Sequence, residues 1–170
     1  MEKSHKNSIT RDTVPEGFSV PLALVDLIPV VFFGLSALRV GGLLSSPLFM
    51  AGAALCLASG TGKVLWKLIA AMAQRNIWPL FVLMRILMPV GFLILLLGLF
   101  VDRAKLNAGA ILAGLTGFPA CIFFLLGVLG MVLMTVFAFR LDSSDPKANW
   151  LEQAVNGLAQ ACFFLGLLLA

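Results

Sequence analysis

The sequence has no tyrosine, a single histidine and few charges of either sign. Charged residues make up 12% of its 170 positions, where soluble domains carry about 25%. Hydrophobic residues make up 61%, more than a water-facing surface and one core can absorb, so lipid is the expected solvent for much of this chain. The lone histidine, His5, sits in a polar leading segment. Histidine-based triads and histidine metal sites are therefore excluded from the apolar part. Three cysteines, Cys56, Cys121 and Cys162, lie within apolar segments with no close pair. They supply neither a disulfide framework nor metal-ligand spacing and read as small buried hydrophobes. No cofactor is expected.

Other familiar chemistries also fail. Gly60-Thr61-Gly62-Lys63 invites a phosphate-loop reading, but Leu57 stands where the first glycine belongs and Val64 replaces the Ser/Thr. The two glycines read instead as a weak point in a helix. The net charge of +4 is scattered over segment ends rather than clustered, so nucleic acid is not an expected partner. Residues 1–17 alternate acidic and basic groups and lack the form of a signal peptide, and they are read as a polar tail.

What the chain does have is five long apolar stretches, at about 18–38, 48–72, 77–101, 109–139 and 150–170. About 20 apolar residues suffice to cross a bilayer as a helix. The expected fold is thus an all-α integral membrane protein, a five-helix transmembrane domain over 18–170. The fourth stretch is too long for one straight crossing and should tilt, kink at Pro119 or extend beyond the membrane. Short connections at 39–47, 73–76, 102–108 and 140–149 predict that successive helices are antiparallel neighbours. Small residues at Gly109, Ala113, Gly117, Gly127 and Gly130 predict close helix packing.

Lys3, Lys6, Arg11, Arg75, Arg140 and Lys147 fall at one side of this arrangement, and Arg39, Arg103 and Lys105 at the other. The positive-inside rule then puts the N-terminus in the cytoplasm and the C-terminus outside, in the inner (plasma) membrane. A weak two-hairpin repeat is also visible. Pro21-Leu22, Asp26 and Pro29-Val30 correspond to Pro79-Leu80, Arg85 and Pro89-Val90, at offsets of 58 to 60 residues. The fifth helix would be an addition to it.

Ionisable residues inside apolar spans are the informative feature, because each costs roughly 2.5–3.5 kcal/mol on insertion scales. At about 1.5 Å per residue, Asp26, Lys63 and Arg85 share a depth of about 12–13 Å on three helices. Asn149, Glu152, Gln153, Asn156 and Gln160 fall on one stripe of the fifth, which must face protein or water. Trp78, Phe81, Arg85, Met88 and Phe92 share a face of the third, where cation–π contact with Arg85 is expected. Pro29 and Pro89 each leave a carbonyl without its helical donor, those of Val25 and Arg85. Lys67 and Glu152 are read as near enough to the interface to snorkel.

Asp26, Lys63, Arg85, Glu152, Asn156 and Gln160 are accordingly the candidate ligand-binding residues, with no metal or catalytic set among them. The expected function is a transporter or channel subunit that binds a small anionic or zwitterionic solute, working as a homo-oligomer or with a partner subunit in the lipid. One alternative is an accessory, assembly or sensory subunit whose charges pair internally or with a partner. A lipid-modifying enzyme using Asp26 or Glu152 is the third.

Overall fold

The computed structural model describes residues 18–141 and 145–170; the expected polar tail at 1–17 lies outside them. Seven α-helices follow in order: α1 (Val20–Val25), α2 (Leu27–Leu44), α3 (Pro47–Ala73), α4 (Trp78–Val101), α5 (Ala108–Thr116), α6 (Ala120–Arg140) and α7 (Pro146–Leu169). There is no strand among the described residues. Five segments are long and apolar enough to cross a membrane: 20–44 (α1 and α2 together), α3, α4, α6 and nearly all of α7.

The starts follow from capping chemistry. Ser19, Ser46 and Asn107 accept hydrogen bonds from the backbone N–H groups of Leu22, Phe49 and Ala110 at 3.3, 3.2 and 3.1 Å. Asp145 accepts one from Lys147 N–H at 2.9 Å. Such side chains satisfy donors that the first helical turn leaves free. Proline occupies an early position of α1, α3, α4 and α7, where its missing N–H costs no helical bond. The break between α1 and α2 falls at Asp26, three residues before Pro29, which cannot donate to the Val25 carbonyl.

The helices pack in the order α4–α3–α2–α7–α6, with α1 wedged between α3 and α7. This is an arc rather than a closed ring, because α4 packs substantially on α3 alone among the long helices, and α6 on α7. The α3–α4 contact is the tightest. A methyl on Gly52 would strike the backbone N of Leu95, one on Gly98 would strike that of Phe49, and one on Gly91 would stand 2.9 Å from the N of Cys56. Ser59 Oγ donates to the Met84 carbonyl at 2.8 Å across the same seam. Leu43, Leu93, Phe100 and Leu125 point outward and exposed, as apolar side chains facing lipid do.

Several expectations change. α2 runs on through Arg39 to Leu44, so the first connection shrinks to Ser45 and Ser46. A single exposed arginine and two glycines do not end a helix with that much apolar surface. The fourth stretch is broken at Gly117–Pro119 into α5 and α6, consistent with the expected kink at Pro119. That break lets the chain cross over, so α4 and α6 are not packed neighbours although they are consecutive spans. The two segments of the sequence repeat therefore differ in packing. Gly127 and Gly130 do admit Phe163 and Ala159 of α7, whereas Gly109 and Gly117 approach only atoms of their own segment.

At the end of the bundle away from Asp26, Lys105 Nζ pairs with Asp102 at 2.8 Å and donates to the Ser45 carbonyl at 3.3 Å. This joins the α2–α3 turn to the short 3-10 turn after α4. Hydrogen bonds from Lys105 and then Ser46 hold the Asp102 carboxyl below the usual range.

Replacing Gly98 by Ala should force α3 and α4 apart and cost about 1–3 kcal/mol. A methyl on Gly42 would meet nothing within 4 Å, so Gly42→Ala should leave stability unchanged or slightly raised. Thermal melts of the two variants in detergent check the contrast.

Candidate functional site

The break at Asp26 sets the site. The side chain leaves the α1–α2 junction toward α3 and is only 2% exposed. Lys67 lies directly against its Oδ2, itself 4% exposed, and Lys63 Nζ stands 3.8 Å from Oδ1. Lys63 and Lys67 are one helical turn apart on the same face of α3, which is why both reach one carboxylate. Their roles differ by burial, since the Lys63 side chain is 49% exposed. Lys67 is the buried counter-ion, and Lys63 a looser partner that faces open space. The expected snorkelling of Lys67 is therefore corrected: the ammonium turns inward because a buried carboxylate offers more than a distant interface.

The helix bounds correct the common depth expected for Asp26, Lys63 and Arg85, because α3 ends at Ala73 and Lys63 lies deeper than the other two. Asp26, Lys67, Arg85 and Glu152 lie about 9–10 Å from the helix ends at one side, and Lys63 and Asn156 about 15 Å. Around them are two cavities. The first, of about 410 Å³, is lined from α3 by Lys63 and Lys67, from α4 by Arg85, and from α7 by Asn149, Glu152 and Gln153. The second, of about 300 Å³, lies deeper and is lined by Asp26, Lys63, Gln153, Asn156 and Gln160, with Phe92 of α4 and Met131 of α6. Lys63, Met88 and Gln153 border both.

All six sequence-derived candidates thus border the cavity pair. They do not form one cluster: Arg85 and Glu152 belong to the first cavity, Asp26, Asn156 and Gln160 to the second, and Lys63 to both. Two further residues belong with them. Lys67 has a usable signal in its four-residue spacing from Lys63. Gln153 sits on the polar stripe of α7, yet nothing in the sequence marks it above its neighbours. It is 3% exposed and its Oε1 has no hydrogen-bond partner among the described residues.

An aromatic wall stands at the first cavity. Trp66 packs edge-on against Phe18 at 5.4 Å and tilted against Phe81 at 4.9 Å, and Trp78 lies 5.2 Å from Phe81. The Arg85 guanidinium rests 5.3 Å from the Phe81 ring, as expected, and the Lys67 ammonium 5.1 Å from Phe18. Trp66 Nε1 donates to Asn76 Oδ1 at 3.1 Å, which fixes the indole. Neither Arg85 nor Glu152 forms an ion pair among the described residues. The site therefore combines a carboxylate matched by Lys67 and more loosely by Lys63, an arginine and a second carboxylate without an ion pair among the described residues, and an aromatic wall of edge-on and tilted rings.

Comparisons of the chain with protein-family models, curated proteins and solved structures find no match.

Removing one member of a buried ion pair strands the other, at about 3–5 kcal/mol. Asp26→Asn and Lys67→Met should each destabilise the protein by that order, and the double variant should recover much of the loss. Lys63→Met should change stability by less than about 1 kcal/mol, as for an exposed pair. Melting of all four variants in one detergent checks the assignment of the two lysines; equal losses at Lys63 and Lys67 would reverse it.

Proposed function

We propose that the cavity pair binds a small anionic or zwitterionic solute and that the chain is a subunit of a membrane transporter or channel. One observation carries the reading. Lys67 serves as the buried counter-ion of Asp26, so Arg85, which has no ion pair among the described residues, and Lys63, held only loosely by Asp26 at 3.8 Å, face a 410 Å³ cavity. Small-molecule sites of about 300–1,000 Å³, largely apolar with a few convergent polar groups, are the usual pattern. A charge kept at such a depth without a fixed partner needs water or a ligand. The deeper cavity, with the amides of Asn156 and Gln160, continues the polar path beyond Lys63. It supports passage rather than storage.

The charged segment ends support an orientation for this subunit. Arg75, Arg140 and Lys147 lie at the end nearer Asp26. Arg39, Arg103 and Lys105 belong to the other end. With Lys3, Lys6 and Arg11 of the expected polar tail counted to it, the end nearer Asp26 is the richer and is assigned to the cytoplasm of an inner (plasma) membrane by the positive-inside rule.

A second reading, an accessory subunit docked on a larger membrane protein, is favoured by the open arc. Only 17% of the α4 span and 11% of the α6 span is buried, against 44% for α3. Both edge helices have faces to offer, to another copy or to a different chain.

Native mass spectrometry of protein extracted gently from its membrane separates the readings. Solute binding predicts extra mass of a small molecule that is lost in Arg85→Met and reduced in Lys63→Met. A bare chain held at fixed stoichiometry by another membrane protein would instead support the accessory role.

A further inference from the structure

We propose, resting on the solute-binding reading above, that the ligand is a zwitterion with a flat apolar group, its carboxylate held by Arg85 and its ammonium by Glu152. The first cavity presents charges of both signs that have no ion-pair partner of their own among the described residues. They stand on different helices, Arg85 on α4 and Glu152 on α7, and these helices are not packed against each other. Ion pairing between them would close the cleft and neutralise both charges. With no ion pair between them, the cavity they share can take a molecule that carries both complementary charges.

The acceptors and donors are sorted by side. On α7, Glu152 is an acceptor-only carboxylate, and beside it the buried Gln153, whose Oε1 has no partner among the described residues, lines the same cavity. A buried acceptor left unpaired in this way costs about 1–3 kcal/mol, and an ammonium supplies donors for both side chains. From α4, Arg85 offers the planar fork that suits a carboxylate, and Lys63 lines the same cavity. A purely anionic ligand would satisfy the α4 side and leave Glu152 facing its charge. A purely cationic ligand would do the reverse.

The remaining wall sets the rest of the molecule. Phe18, Trp66 and Phe81 form one connected series of edge-on and tilted rings along this cavity, with Met84 and Met88 beside them. Flat apolar groups pack against such faces by offset or edge-on contact. An aromatic α-amino acid fits all three requirements. In binding, it would bridge α4 and α7 across the open side of the arc.

The test uses the full chain in lipid nanodiscs and three probes measured by calorimetry. These are phenylalanine, phenylpropanoate (no ammonium) and phenethylamine (no carboxylate). Phenylalanine should bind at least about tenfold tighter than either analogue. Glu152→Gln should lower phenylalanine affinity to the level of phenylpropanoate and should not weaken phenylpropanoate itself. Arg85→Met should act in mirror image, sparing phenethylamine; Arg85→Lys, which keeps the charge but not the fork, serves where Arg85→Met fails to fold. Equal binding of phenylalanine and phenylpropanoate, with Glu152→Gln neutral, would overturn the zwitterion assignment and leave the anion-binding reading standing. Binding of none of the three would overturn the aromatic zwitterion assignment alone, and binding of phenethylamine alone would overturn both.

Discussion

A carboxylate taken out of water must be matched by a cation, and Asp26 imposes that requirement on the half of the bundle that holds it. The residue sits at a helix break, so its side chain can lean away from its own helix and reach α3. Lys67 meets it there in full burial. The pair locks α1, α2 and α3 in register, because a slip of one residue would rotate either charge toward lipid. With Asp26 so matched, Lys63 one turn away and Arg85 on α4 keep their charge for the space between the helices. The character of the cavity therefore depends on which lysine neutralises Asp26.

Glycines supply the second condition. Lipid tails are as apolar as the side chains, so helices gain little by hiding leucines from them, and they associate through close packing and interhelical hydrogen bonds. Gly52, Gly91 and Gly98 let α3 and α4 touch backbone to backbone, and Ser59 adds a hydrogen bond across the seam. Gly127 and Gly130 do the same for α6 on α7, where Phe163 and Ala159 enter. Each of the two pairs is tightly packed. Between them lies the cleft, joined at its base by α2. Such an arrangement gives a polar gap with two firm walls.

Much of the fold is legible because hydropathy reports solvent directly. All five spans fall where apolar stretches lie, and the polar stripe of α7 faces the cavities. Arg39 misleads as a boundary, since one exposed cation does not stop a helix whose next turns are apolar. Lys67 misleads for a similar reason: distance along a helix gives depth, but only a partner on another helix decides whether a long side chain turns inward. Helix order is not legible at all. Short connections suggest a simple up-and-down arrangement of neighbours, whereas the break at Gly117–Pro119 separates α4 from α6 and leaves the arc open. The burial of Gln153, deeper than that of Asn156 or Gln160 on the same stripe, follows from that order and from nothing local.

A solute can be held between α4 and α7 only if water reaches that space at the level of Arg85. Labelling with a small membrane-impermeant thiol reagent tests this most directly, in a background where Cys56, Cys121 and Cys162 are replaced. Met88 borders both cavities, and Leu93 on the same helix faces outward at 67% exposure. Met88→Cys should react in intact membranes while Leu93→Cys, surrounded by lipid, should not. Equal inertness of the two would mean that the cleft is dry, and the charges lining it would then have to be matched by another protein chain.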